Sequence, residues 1–181
     1  MRRVAHVTRI PLRGDLRIVR RDASSLDILS VWEKKNVITF AGVESIIKLQ
    51  APNLAFGTSV AQIQEENQIK SMRFGSSNTV PNKTDTNLIS EAVVSSVPVR
   101  IELFDANRIV GAAGTVEYVA TMASGVGNGI TYREAGLFTR GTDDDPLLAS
   151  GAIMFSRQVY PDQPKNSAVV LEYRWRIAYT V

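Results

Sequence analysis

The last eleven residues of the chain alternate between two kinds of side chain. Apolar residues take every second position: Leu171, Tyr173, Trp175, Ile177, Tyr179 and Val181. Charged or small residues take the positions between them: Glu172, Arg174, Arg176, Ala178 and Thr180. Successive side chains of a strand point to opposite faces. The pattern therefore predicts an antiparallel strand with one face on a core, where Trp175 is a structural anchor.

Several upstream segments also have the composition or the period of strands. They lie at residues 69–74, 93–103, 116–122, 130–138 and 147–155. Turn residues such as Gly, Pro and Asn separate them, which is typical of an all-β fold. No helical segment alternates with these strands, and this argues against a parallel doubly wound sheet. We expect a two-sheet antiparallel β-sandwich.

One short helix is predicted over residues 40–50. Thr39 is its expected N-cap, and apolar side chains follow at three-to-four spacing. The preceding stretch, 26–39, has an extended pattern in which Trp32 is a large residue suited to burial. Residues 51–68 fit either a loop or a second short helix. The predicted fold is thus mainly β, with one short α-helix and an extended N-terminal arm.

The basic charge of the chain is concentrated in its first 21 residues. The net charge is +3 over 181 residues, and this segment alone contributes +6. Its arginines are Arg2, Arg3, Arg9, Arg13, Arg17, Arg20 and Arg21. They are interleaved with Val, Ile and Leu, as expected of a segment that packs on protein. We therefore predict a docking arm over residues 1–25 and a sandwich domain over residues 26–181.

The arm allows two interpretations of its partner. Arginines could bind nucleic acid through its phosphates, with an affinity that falls steeply as salt rises. Alternation with apolar residues favours contact with protein instead. If the arm only docks, removal of residues 2–21 is expected to leave the sandwich folded.

Composition argues against several kinds of chemistry. The chain has no Cys and a single histidine, His6, so disulfides, thiol catalysis and thiolate metal sites are excluded. The glycine loop at 124–129 lacks the spacing of a dinucleotide motif, and Asp143–Asp145 lacks that of a calcium loop. No apolar run is long enough to span a membrane. We expect no enzyme activity, no catalytic residue, no cofactor, no metal and no membrane partner.

Glu134 is a charged residue at an inward position of the strand predicted over 130–138. As a general acid it would need a second carboxylate across a cleft, which the sequence does not provide. As a structural residue it would pair with an arginine or accept hydrogen bonds from loop amides at a strand bend permitted by Gly136. We favour the structural interpretation.

A set of short motifs resembles those of bacteriophage tail, baseplate and neck (collar) structural proteins. The most specific is the block from Gly129 to Phe138, which ends in Glu-Ala-Gly-Leu-Phe. Four motifs precede it: Asn36-Val-Ile-Thr39 before the helix, the strand Met72-Arg-Phe-Gly75, Pro81, and Asp85-Thr-Asn-Leu88. Two follow it: Leu147-Leu-Ala149 and an aromatic-rich strand. The resemblance covers residues 34–181.

The resemblance implies a non-enzymatic virion protein with a β-sandwich body, present in multiple copies. Its expected partners are other phage tail, neck or baseplate proteins and further copies of itself in a ring, with nucleic acid less favoured. Its expected location is the virion, after assembly in the host cytoplasm. The alternative is a carbohydrate-binding module of a host-recognition fibre, which would need exposed aromatic platforms. Trp32 and Trp175 are better explained as core residues.

Overall fold

A computed structural model of the chain describes residues 12–50, 59–60, 65–104, 108–111, 114–140 and 151–179. These residues form two five-stranded antiparallel sheets, a two-stranded ribbon and one α-helix. The strands are β1 (Leu12–Asp22), β2 (Ile28–Lys35), β3 (Val37–Ile38), β4 (Ile69–Gly75), β5 (Val93–Val94), β6 (Val97–Pro98), β7 (Arg100–Glu102), β8 (Arg108–Gly111), β9 (Thr115–Met122), β10 (Ile130–Thr139), β11 (Met154–Lys165) and β12 (Val169–Tyr179). The helix is α1 (Phe40–Gln50). The prediction of a mainly β antiparallel sandwich with one helix is confirmed.

The first sheet has the strand order β2-β1-β12-β9-β8. Strand β1 lies inside it and pairs with β12 along its whole length, from Leu12 opposite Tyr179 to Asp22 opposite Val169. Its inward residues Leu16 and Ile18 are fully buried in the core. The predicted boundary at residue 25 is therefore wrong for residues 12–22, which belong to the sandwich. Residues 1–11 of the predicted arm lie outside the described residues.

The second sheet has the order β3-β11-β10-β4-β7. Its longest strand, β11, begins at Met154 and continues to Lys165. The strand predicted over 147–155 thus agrees with the structure only at its last two residues, and positions 141–150 lie outside the described part of the chain. The prediction missed the extent of β11 because polar residues and two prolines interrupt its apolar pattern.

The core lies between the two sheets and is built from their facing side chains. Tyr173 of the first sheet has its ring centroid 4.7 Å from that of Phe74 and 5.8 Å from that of Tyr160, both of the second. Trp175 is 0% exposed. The alternation predicted for the last strand is confirmed from Leu171 to Ile177, because every second residue there is buried in the core.

Residues 93–103 do not form the single strand that their alternation predicts. The chain turns at Ser95 and Ser96, whose φ angles are 49° and 67°, and β5 pairs with β6 as a tight ribbon. Both central residues of a type I′ hairpin turn need positive φ, which serine adopts less readily than glycine or asparagine. A serine pair is therefore a weak sequence signal for this turn. The period of two continues across it and conceals it.

Helix α1 packs against β11 and begins as the sequence predicts. The Thr39 hydroxyl accepts a hydrogen bond from the Gly42 amide at 2.9 Å, which confirms its role as N-cap. The same hydroxyl donates to the Met154 carbonyl oxygen at 2.5 Å, so the cap also fixes the helix to the second sheet. No helix within the described ranges has the length and apolar character needed to cross a bilayer.

Candidate functional site

A buried ion pair lies on the outer face of the second sheet. Glu134 of β10 and Arg157 of β11 are both 0% exposed. The Arg157 Nε donates to Glu134 Oε2 at 2.8 Å, and Nη2 lies 2.7 Å from the same oxygen. A buried charge is costly unless it is paired and hydrogen-bonded, and this pair meets both conditions.

The pair also fastens the loop of residues 76–92 to the sheet. Glu134 accepts hydrogen bonds from the Ser90 amide at 2.8 Å and the Ile89 amide at 3.3 Å. Arg157 donates to Asp85 Oδ2 at 2.9 Å and to the Thr79 carbonyl oxygen at 3.0 Å. The structural interpretation of Glu134 is confirmed, since it pairs with an arginine and accepts from loop amides. We refer to Glu134, Arg157 and Asp85 as the buried charge cluster.

Gly75 provides room for Glu134, and Gly136 provides room for residues beside the cluster. A Cβ on Gly75 would overlap the Ser90 carbonyl oxygen and lie 2.5 Å from Glu134 Oε1. A Cβ on Gly136 would lie 2.9 Å from the Phe138 ring and 3.2 Å from the Ser156 carbonyl oxygen. Gly136 is thus required for close approach. The irregularities of β10 lie on either side of it, between Tyr132 and Glu134 and between Leu137 and Phe138, so the bend predicted at Gly136 itself is displaced.

The arginines predicted to bind a partner fall into two groups. Arg2, Arg3 and Arg9 lie outside the described residues, whereas Arg13, Arg17, Arg20 and Arg21 belong to β1. Arg13 lies 3.4 Å from Asp15, and Arg21 donates to the Leu26 carbonyl oxygen at 3.2 Å. Arg17 is exposed, and the buried Nε of Arg20 has no acceptor. These four side chains extend from a strand of the sandwich, not from a separate arm.

The outer face of the first sheet carries both signs of charge. Arg174 donates to Glu172 at 2.7 Å and to Glu117 at 2.9 Å, and the hydrogen bonds to these carboxylates raise the pKa of Arg174. A shallow depression beside this group is lined also by Asp15, Arg17, Glu33 and Arg176. Acids and bases balance on this face, which gives it no strong preference for a charged polymer.

Both outer strands of the first sheet have exposed apolar side chains. On β2, Leu29 is 53% and Val31 is 47% exposed, and Leu26 and Ile28 beside them are also exposed. On β8, Ile109 and Val110 are exposed as well. The outer edge of each of these strands has no neighbour among the described strands of the sheet. Edges of this kind are where another strand can pair, and soluble proteins usually protect them with charge or bulges.

Groups that could perform chemistry are few in the described part of the chain. It holds no cluster of three or more His, Asp or Glu that could bind a metal ion. Burial raises the pKa of Tyr132 to about 12 and raises that of Tyr160 far above its usual value, so both phenols stay neutral. Their hydroxyls donate to the carbonyl oxygens of Gly127 and Glu134. Trp175 is enclosed in the core, and Trp32 packs on Tyr160 with the ring centroids 5.8 Å apart.

Comparison with known proteins found no family model, no curated protein and no solved structure that matches this chain.

Sequence reasoning identified Glu134 but did not name its partners. Arg157 and Asp85 are 23 and 49 residues away from it in the chain, and no local pattern connects them. The sequence did contain one signal of a buried arginine, because Arg157 follows Met154 and Phe155 in a segment that forms a strand. A charged residue in such a place indicates a buried partner.

Proposed function

We propose that this chain is a non-enzymatic structural subunit of a bacteriophage virion, in the tail, baseplate or neck (collar). It assembles in multiple copies through protein–protein contacts, in the host cytoplasm, and remains in the particle. Its partners are further copies of itself and other tail, neck or baseplate proteins.

The observation that carries the proposal is the pair of exposed apolar edges on the first sheet. Strands β2 and β8 bound the same sheet on opposite sides. If β8 of one copy meets β2 of the next, the interface is heterologous, and repetition of one rotation closes a ring. Glu33, Lys34 and Lys35 at the end of β2 protect only that part of its edge, and the apolar part before them is left for pairing.

The resemblance to phage structural proteins adds support from the place of its motifs in the fold. Glu134, Asp85 and Gly75 come from three separate motifs, and all lie in or against the buried charge cluster. Thr39, from another motif, joins the helix to the same sheet. A structural subunit requires motifs that stabilise its fold. It does not require motifs that bind a reacting ligand.

Native mass spectrometry of the full chain tests the proposal. We expect the wild type to form a closed oligomer of one defined size. The double variant Leu29→Lys with Val31→Lys places two charges on the exposed edge and is expected to give monomers with unchanged thermal stability. Val80→Lys, at a loop position that is 82% exposed, is the matched control and should retain the oligomer. A wild type that remains monomeric at every concentration would refute ring assembly.

Incorporation into particles tests the location. In an infected or reconstituted system, the wild-type chain should co-purify with tails, baseplates or necks, and the Leu29→Lys, Val31→Lys variant should be lost from them. Equal incorporation of both would contradict a role for this edge.

A further inference from the structure

A row of arginines crosses the outer face of the second sheet. Arg100 of β7 pairs with Arg73 of β4. Arg73 in turn pairs with Gly136 of β10, and on its other side Gly136 pairs with Arg157 of β11. Directly paired residues on neighbouring strands point to the same face. Three guanidinium groups are therefore brought onto one partly covered surface.

Two arginines of this row have carboxylate partners. Arg100 binds Glu91 with two hydrogen bonds, Nε to Oε1 at 2.6 Å and Nη2 to Oε2 at 2.9 Å. Arg157 binds Glu134 and Asp85 in the buried charge cluster. The row thus pairs each outer arginine with at least one planar acceptor, which is the geometry that a guanidinium favours.

Arg73, in the middle, has two nitrogens without a hydrogen-bond acceptor. It is only 5% exposed, and its Nε and Nη2 are buried without a partner. The guanidinium carbon lies 4.2 Å from the centre of the Phe138 ring, so one of its faces is stacked. Burial and, to a smaller extent, the neighbouring Arg100 lower the pKa of Arg73 to about 10, while Glu91 opposes both. The side chain remains a cation at neutral pH.

A cavity of about 370 Å³ opens beside Arg73. The polar residues Thr86 and Asn87 line it, together with Ala41 at the start of α1 and the chain from Gly151 to Met154. A water molecule occupies about 30 Å³ in the liquid, so the space is large enough for a small organic anion. The cavity combines a buried cation that lacks acceptors with neutral hydrogen-bonding groups and apolar walls.

We propose that this cavity is a binding site for a carboxylate from outside the chain, with Arg73 as its cation. A planar carboxylate supplies the acceptors that Arg100 and Arg157 already have. The source is either a free small carboxylate or an acidic side chain of a second copy, and both present the same group to Arg73.

Nuclear magnetic resonance of the Arg73 side chain tests the chemistry of the site. The Nε–Hε signal, assigned by its absence in Arg73→Lys, is followed as sodium acetate is added at pH 7, with sodium chloride at equal ionic strength as the reference. We expect a saturable shift with acetate only. Arg73→Lys keeps the charge but loses the planar fork, and its acetate affinity, measured from loop amide signals, should fall about tenfold, which corresponds to about 1.4 kcal/mol. Arg17→Gln, which removes an exposed arginine from the other sheet, should bind acetate as the wild type does.

Thermal unfolding provides a second readout. A ligand that binds only the folded chain raises the melting temperature. Acetate should therefore raise it for the wild type and for Arg17→Gln but not for Arg73→Met. Without acetate, Arg73→Met loses the stacking on Phe138 but no hydrogen bond of Nε or Nη2, so its melting temperature in chloride is the baseline for its acetate shift.

Two further comparisons separate the sources of the carboxylate. If a second copy supplies it, Arg73→Met shifts the oligomer toward monomer in native mass spectrometry and acetate does the same to the wild type. If the ligand is free, the oligomer is unchanged while acetate still binds. Absence of acetate binding to the wild type overturns the proposal. Binding that appears only when Asp143, Asp144 and Asp145 are all changed to Asn also overturns it, since the chain would then fill its own cavity.

Discussion

Replacement of Glu134 by glutamine is the most direct perturbation of the buried charge cluster. The carboxylate has one oxygen on Arg157 and accepts from the amides of Ser90 and Ile89. A carboxamide of the same shape keeps one acceptor oxygen. Its NH₂ group takes the place of the other oxygen and is a donor that faces other donors. The variant loses a charge-assisted hydrogen bond, at about 1.5–3 kcal/mol, and leaves a buried donor unpaired, at about 1–3 kcal/mol.

We therefore expect Glu134→Gln to lower the free energy of unfolding by about 3–5 kcal/mol, the range measured when one partner of a buried pair is removed. Domains of this kind have about 5–15 kcal/mol in total, so the loss is a large fraction. Urea unfolding at pH 7, followed by tryptophan fluorescence, measures it. Amide hydrogen exchange should also accelerate at Ile89 and Ser90, because the loop loses its attachment.

The matched control is Asp162→Asn, which makes the same chemical change in an exposed pair. Asp162 receives two hydrogen bonds from Arg133, at 2.8 and 2.9 Å, and its side chain is 64% exposed. Solvent screens this pair, so its removal should leave the unfolding curve close to that of the wild type. If the two variants unfold at the same urea concentration, burial does not set the strength of the Glu134 contacts.

Two further predictions concern the helix cap and the buried phenols. Thr39→Ala removes the acceptor of the Gly42 amide and should cost about 1–2 kcal/mol in urea unfolding, while Thr39→Ser should recover most of it; equal losses in both would contradict the cap. The folded-state pKa of Tyr132 is raised from 10.0 to about 12, so its contribution to stability is complete below pH 10 and is lost as the pH rises toward 12. Tyr132→Phe should weaken the fall of stability over pH 10–12, and an unchanged slope would show that this phenol does not ionise on unfolding.

Local patterns in the sequence were sufficient to predict those elements whose structure does not depend on residues far away in the chain. The alternation in β12 reports one buried face directly, and Thr39 caps a helix through residues three positions away. Glu134 could be assigned a structural role because a general acid would need a second carboxylate, which the sequence does not provide. Its partners could not be named, since Arg157 is opposite it only after β10 and β11 have paired.

The position of β1 could not be predicted from composition. Arginines at 13, 17, 20 and 21 made residues 12–22 look like an exposed arm, yet Leu16, Ile18 and Val19 are buried between two neighbouring strands. A strand with one charged face and one apolar face has the same sequence whether it lies at an edge or inside a sheet. Whether β1 lies at an edge or inside the sheet depends on its pairing with β12, which is remote in the chain.

The pairing of β1 with β12 has a consequence during synthesis. β1 leaves the ribosome well before β12, and roughly 150 residues at about 5–20 residues per second separate them by about 8–30 seconds. Of the two neighbours that β1 has in the folded sheet, only β2 has been made during that interval, and Leu16 and Ile18 lack the strand on their other side. The first sheet is therefore complete only after β12 has been made, and any contact that needs the finished sheet has to wait until then.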